Sequence, residues 1–106
     1  MTYAVRFTAS AEADLLRLFE FLLARANSLE NLEHAQDVID RLRESILSHL
    51  GRSPWSYRKA GHGRSSTRRE LIVPSAAAGY VVLYEIDSAS SVLILAVRHQ
   101  REDDYQ

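Results

Sequence analysis

The sequence predicts an α+β fold with its elements in the order β-α-α-β-β-β, and three observations carry that prediction. Apolar residues recur at the helical 3.6-residue period from Leu15 through Leu50. Beyond an irregular interval, three β-prone runs follow, separated by turn-forming clusters. The last run, Val92-Leu93-Ile94-Leu95-Ala96-Val97, is an uninterrupted apolar stretch of the kind expected for a short strand buried on both faces. It gives way at once to Arg98-His99-Gln100-Arg101, so a core strand delivers cationic and titratable groups to its own end.

Taken in order, Tyr3-Ala4-Val5-Arg6-Phe7 is the first strand. Thr8 or Ser10 caps a helix whose first turn holds Glu12 and Asp14, where the helix dipole favours acids. Leu15, Leu18, Phe19, Leu22 and Ala26 share one face, widened by Leu16 and Leu23. Asn27-Ser28 breaks the pattern and caps a second helix with Leu32, Ala35, Val38, Ile39, Leu42, Ile46 and Leu50 on one face. Asp37 and Arg41 lie at i, i+4 on the other face, and Gly51 is placed as the C′ residue. The short connector makes the pair an antiparallel hairpin.

Residues 52–67 are irregular and long for a connector, with Trp55 and Tyr57 expected to pin them to the body. The chain becomes strand-like from Arg68 and reaches Pro74, where Pro74-Ser75-Ala76-Ala77-Ala78-Gly79 forms a hairpin loop. In the next strand Tyr80, Val82, Tyr84 and Ile86 lie on one side, with Val81, Leu83 and Glu85 on the other. Residues 87–91 turn the chain into the final strand, completing an antiparallel meander. Residues 102–106 form a short acidic tail expected to fray.

With 106 residues, the chain is sized for one domain over residues 1–106. The absence of cysteine excludes disulfides and thiolate metal sites and fits a cytoplasmic protein. The N-terminus lacks the apolar core of a signal peptide, and no apolar run approaches the roughly 18 residues of a membrane span. The formal charge of −1 conceals a split, with a net −3 over residues 1–50 and +2 over residues 51–106. Residues 52–69 hold six basic side chains (Arg52, Arg58, Lys59, Arg64, Arg68, Arg69) and no acid. Arginine forks suit carboxylates and phosphates alike, so the segment fits an acidic protein, a nucleic acid, or simply a solvated loop.

His34, His49 and His62 are scattered without ligand spacing, so neither a metal nor a cofactor is expected. Gly61-His62-Gly63 is a turn rather than a phosphate loop. Tyr80 and Tyr84 read as core or interface aromatics. RNA cleavage through a 2′-hydroxyl requires a general base, a general acid and cations for the phosphorane. Glu70 as base, His99 as acid and Arg69, Arg98 or Arg101 as stabilisers would supply them. The alternative places Glu70, next to Arg69, in an ion pair or surface charge pair and His99 in ordinary hydrogen-bonded packing.

Four separated segments also resemble a known family. Phe7-Thr8 entering Ala11-Glu12-Ala13-Asp14-Leu15, Arg69-Glu70-Leu71-Ile72-Val73, Gly79-Tyr80-Val81-Val82-Leu83-Tyr84-Glu85-Ile86 and Val97-Arg98-His99-Gln100-Arg101-Glu102-Asp103 occur in the order found in the RelE/ParE toxin superfamily. The resemblance spans nearly the whole chain and is nearest the ParE-like branch. It implies the toxin of a type II toxin–antitoxin system with a twisted antiparallel sheet of strand order 1-4-3-2 and the helical hairpin on one face. The partner implied is a ParD-like antitoxin, a ribbon-helix-helix protein with a disordered C-terminal segment, through which alone DNA is contacted.

The superfamily contains two activities. ParE-like members bind DNA gyrase, which here implies no catalytic residue and a target surface of Arg64, Arg68, Arg69, Arg98, His99 and Arg101. RelE-like members cut mRNA on the ribosome, which would instead make Arg69, Glu70, Arg98, His99 and Arg101 catalytic. The nuclease branch usually brings a cluster of basic residues on the sheet and an aromatic residue near the C-terminal end. Lys59 is the single lysine here, and His99 is followed by Gln100-Arg101-Glu102-Asp103. The ParE-like reading is therefore preferred, with the endoribonuclease as the alternative.

Overall fold

The computed structural model describes residues 2–60, 67–74 and 79–100. Its elements are β1 (Ala4–Phe7), α1 (Ala9–Ala24), α2 (Leu29–Arg52), a 3₁₀ turn (Pro54–Ser56), β2 (Arg58–Lys59), β3 (Arg68–Val73), β4 (Tyr80–Ser88) and β5 (Ser91–His99). The expected hairpin loop lies partly, and the acidic tail wholly, outside the described residues.

The helix starts follow directly from side-chain chemistry. Thr8, rather than Ser10, caps α1 by accepting the Ala11 N–H at 3.2 Å, and Ser28 does the same for α2 with Asn31 at 3.2 Å. Across the hairpin, Arg43 grips Glu12 with two bonds of 2.7 and 3.0 Å and lies 4.8 Å over the Phe7 ring. Those bonds hold the Glu12 carboxyl below its ordinary range. On α2, the expected Asp37–Arg41 pair forms at 3.0 Å. The helical stripe does not close over all its leucines, since Leu16 is 57% and Leu32 44% exposed.

Gly51 is not a cap. The helix continues through it to Arg52, and Ser53 is the C-cap. The Gly51 carbonyl accepts the Tyr3 N–H at 2.7 Å, tying the end of α2 to the entry of β1.

The sheet order is β1-β5-β4-β3-β2. The four expected strands keep their implied order, and β2 extends it at the edge, inside the segment read as wholly irregular. The sheet is mixed rather than antiparallel, because β1 runs parallel to β5. A parallel pair needs a crossover connection, and the helical hairpin begins that crossover by leaving β1 and covering one face.

β5 lies between β1 and β4 and is buried on one face rather than both. Val92, Ile94 and Val97 are fully buried, whereas Leu93, Leu95 and Ala96 are half-buried. The inward positions change parity between Ile94 and Val97 because of a β-bulge. Leu83 pairs with Ala96 and Tyr84 with Ile94, leaving Leu95 without a partner on β4. In β4, Tyr80, Val82, Tyr84 and Ile86 face the core as their alternation predicts. They meet Leu15 and Leu18 of α1 and Ile39, Leu42 and Ile46 of α2 in one apolar cluster.

Candidate functional site

Three regions hold the residues singled out by the sequence. The first is the sheet face opposite the helices. Ile72, Val81, Leu83, Leu93 and Ala96 are half-buried there, the positions alternating with the core residues of β3, β4 and β5. Charged pairs surround them. Arg58 Nε donates to Glu70 at 3.0 Å, Arg68 Nε donates to Glu85 at 3.1 Å, and Arg6 lies 3.7 Å from Asp87. The Thr67 hydroxyl donates to the second oxygen of Glu85. Cross-strand register brings these pairs together, since Arg58 faces Glu70 and Arg68 faces Glu85.

The second region is the end of β5. Arg98 is exposed opposite Val81 and forms no ion pair with a described residue. His99 is half-buried on the other side of the strand, edge-on to the Tyr80 ring at 5.4 Å. Gln100 then closes against Gly79, its N–H donating to the Gly79 carbonyl at 2.8 Å and its side-chain oxygen accepting the Gly79 N–H at 2.7 Å. A Cβ at Gly79 would lie 2.7 Å from that oxygen and 3.1 Å from the Val73 carbonyl, so a larger residue there would displace the Gln100 side chain and press on the Val73 carbonyl.

The third region is the corner where α2 ends. The Tyr84 hydroxyl, buried in the core, donates to the Pro54 carbonyl at 2.6 Å. Burial holds that phenol protonated well above the ordinary tyrosine range. Arg69 donates to the carbonyls of Trp55 at 3.0 Å and Tyr57 at 2.7 Å, and its guanidinium stacks 5.0 Å from the Trp55 ring centre. Tyr57 packs on the core, but Trp55 stays 47% exposed. Tyr57 thus pins this segment as expected, whereas Trp55 presents its ring to solvent.

The sheet divides the candidate residues. Glu70 and Arg98 belong to its uncovered face, Arg69 and His99 to the face bearing the helices, and Glu70 is already bonded to Arg58. The proposed base and acid therefore do not converge on one phosphate-sized position. Arg64 and Arg101 lie outside the described residues. No group of three potential metal ligands occurs among the described residues, and no helix among them is long and apolar enough to cross a membrane. The Trp55–Arg69 stack escaped the sequence reading because it depends on β2 pairing with β3. The only linear signal was a tryptophan within an acid-free basic segment.

A model of the ParE toxin of type II toxin–antitoxin systems, parDE, matches residues 5–104. No curated protein matches the chain. Among solved structures, the fold is similar to that of a chain of the chromosomal ParDE system from P. aeruginosa, with a TM-score of 0.68, 14% identity and coverage of 92% of this chain and 96% of that one. It is also similar to a chain of the RelBE2 toxin–antitoxin complex from Mycobacterium tuberculosis, at TM-score 0.62, 23% identity and coverage of 94% and 93%. E. coli toxin RelE in the free state gives TM-score 0.59, 18% identity and coverage of 99% and 92%.

Proposed function

The chain belongs to the ParE toxin family of type II toxin–antitoxin systems, and from that premise we propose that it arrests growth by binding DNA gyrase in the cytoplasm. A ParD-like antitoxin with a ribbon-helix-helix domain and a disordered C-terminal segment neutralises it. The pair contacts DNA through the antitoxin and acts in plasmid stabilisation. The basic residues in and next to β3 and β5, namely Arg64, Arg68, Arg69, Arg98, His99 and Arg101, form or support the target surface.

The observation that carries protein binding over RNA cleavage is the separation of Glu70 from His99 by the sheet. General acid–base cleavage needs both groups within reach of one scissile phosphate. The antitoxin segment has two kinds of surface available, the β1 edge of the sheet and a groove of about 450 Å³ between α2 and the ends of β3 and β4, lined by Val38, Leu42, Val73 and Tyr80.

Purified protein should inhibit gyrase supercoiling and leave mRNA intact on translating ribosomes. Discrete mRNA cuts that disappear in His99→Ala would replace this reading with the RelE-like endoribonuclease, in which Arg69, Glu70, Arg98, His99 and Arg101 would act.

A further inference from the structure

Trp55 is the single tryptophan of the chain, and it is 47% exposed while the segment carrying it is held firmly. Pro54 before it is buried, with its carbonyl accepting from Tyr84, and Arg69 ties down the carbonyls of Trp55 and Tyr57. The Arg69 guanidinium rests on the ring itself. An exposed indole in so constrained a setting has already lost most of the freedom that docking would remove.

Positive charge surrounds the exposed indole. Arg52 ends α2 just before the 3₁₀ turn, and Lys59 pairs in register with Arg69 on the same side of the sheet. Both are exposed, and neither forms an ion pair with a described residue. Residues 52–69 contain no acid, and the acids nearest in the sheet, Glu70 and Glu85, are engaged by Arg58 and Arg68. The corner thus combines a fixed aromatic anchor with two cations, Arg52 and Lys59, that pair with no carboxylate among the described residues.

We infer that the Trp55 corner docks an acidic polypeptide segment of the toxin's protein target, an apolar side chain resting on the indole and carboxylates meeting Arg52 and Lys59. The inference rests on the reading that the target is a protein. Tryptophan and arginine are the side chains over-represented at binding hot spots, and surrounding charge selects the partner. A single-stranded nucleic acid fits less well, because such strands are tracked by successive stacking aromatics. Here Tyr57 is turned into the core and one face of Trp55 is taken by Arg69.

The single tryptophan is its own reporter. The full-length protein should be titrated with a short polyglutamate peptide carrying a central leucine. A saturable change in Trp55 emission is expected, with affinity falling as salt rises. Arg52→Glu/Lys59→Glu should weaken binding by about tenfold or more with unchanged circular dichroism and melting temperature. Trp55→Ala, followed by calorimetry, should lose binding that Trp55→Phe retains. No emission change, unaltered affinity in the charge-reversed variant, tighter binding of oligothymidylate, or burial of Trp55 by self-association in sedimentation would each overturn the inference.

Gyrase inhibition separates this inference from the broader functional reading. Undiminished inhibition by Arg52→Glu/Lys59→Glu would leave the gyrase reading standing and remove this corner as its contact. Normal peptide binding by a protein that never inhibits gyrase would retire gyrase and keep the docking site.

Discussion

The carboxylate of Asp14, in the second turn of α1, accepts the backbone N–H of Val97 in β5 at 2.9 Å. β1 is shorter than β5 and its pairing ends at Ile94, so Val97 lies beyond the reach of its neighbour strand. Thr8 finishes that strand with two bonds to the Ile94 carbonyl, at 3.0 Å from its N–H and 2.7 Å from its hydroxyl. Asp14 takes up the next free donor past the Leu95 bulge. A residue whose position suggests a helix-dipole role instead fixes the strand that leads to Arg98 and His99.

Asp14→Ala should therefore destabilise the protein by about 1–3 kcal/mol, the cost of leaving a part-buried donor without an acceptor. Urea unfolding measures it. Asp14→Asn, which keeps an acceptor oxygen, should recover part of the loss. Equal losses in the two variants would show that the carboxylate's charge, and not its acceptance of the Val97 N–H, matters.

The bulge also separates adjacent core substitutions. Ile94→Ala removes a fully buried side chain and should cost about 2–5 kcal/mol. Leu95, unpaired on β4 and half-buried, should cost appreciably less. A Leu95→Ala loss equal to that of Ile94→Ala in denaturant unfolding would contradict the one-sided burial of β5.

These positions show where sequence reading stopped. Thr8, Ser28 and the Tyr80/Val82/Tyr84/Ile86 face were legible because capping and alternation are local. The inward parity of β5 was not, because an unbroken apolar run is blind to a bulge, which here lies between the end of the β1 pairing at Ile94 and the Val97 N–H held by an acid 83 positions away. At the site, Arg69 and Glu70 are adjacent in sequence, and neighbouring strand residues point to opposite faces. One therefore props Trp55 while the other bonds Arg58.

The Tyr84 hydroxyl predicts an alkaline limb in stability. Burial raises its folded-state pKa, so its contribution is fully present below the ordinary tyrosine range near pH ~10. That contribution should fall away above it, as the unfolded phenol ionises while the folded one stays protonated. Tyr84→Phe should cost about 1–3 kcal/mol near neutrality by leaving the Pro54 carbonyl unpaired. Its stability difference from the parent should shrink as pH rises through that range. A difference constant from neutral to strongly alkaline pH would mean that this hydroxyl titrates alike in the folded and unfolded chain.

Arg98 gives the sharpest functional prediction. It is exposed at the end of a strand fixed by Asp14 and has no ion-pair partner among the described residues, so reversing its charge leaves the core intact. Charges at an interface rim govern encounter and partner choice, whereas buried apolar anchors govern dissociation. Arg98→Glu/Arg101→Glu should therefore abolish growth arrest while weakening antitoxin binding by only about ten- to a hundredfold. Calorimetric titration with antitoxin, beside a growth assay and a melting curve, reads the two effects separately. Full toxicity in the folded double variant would remove both arginines from target recognition and leave the Trp55 corner to carry it.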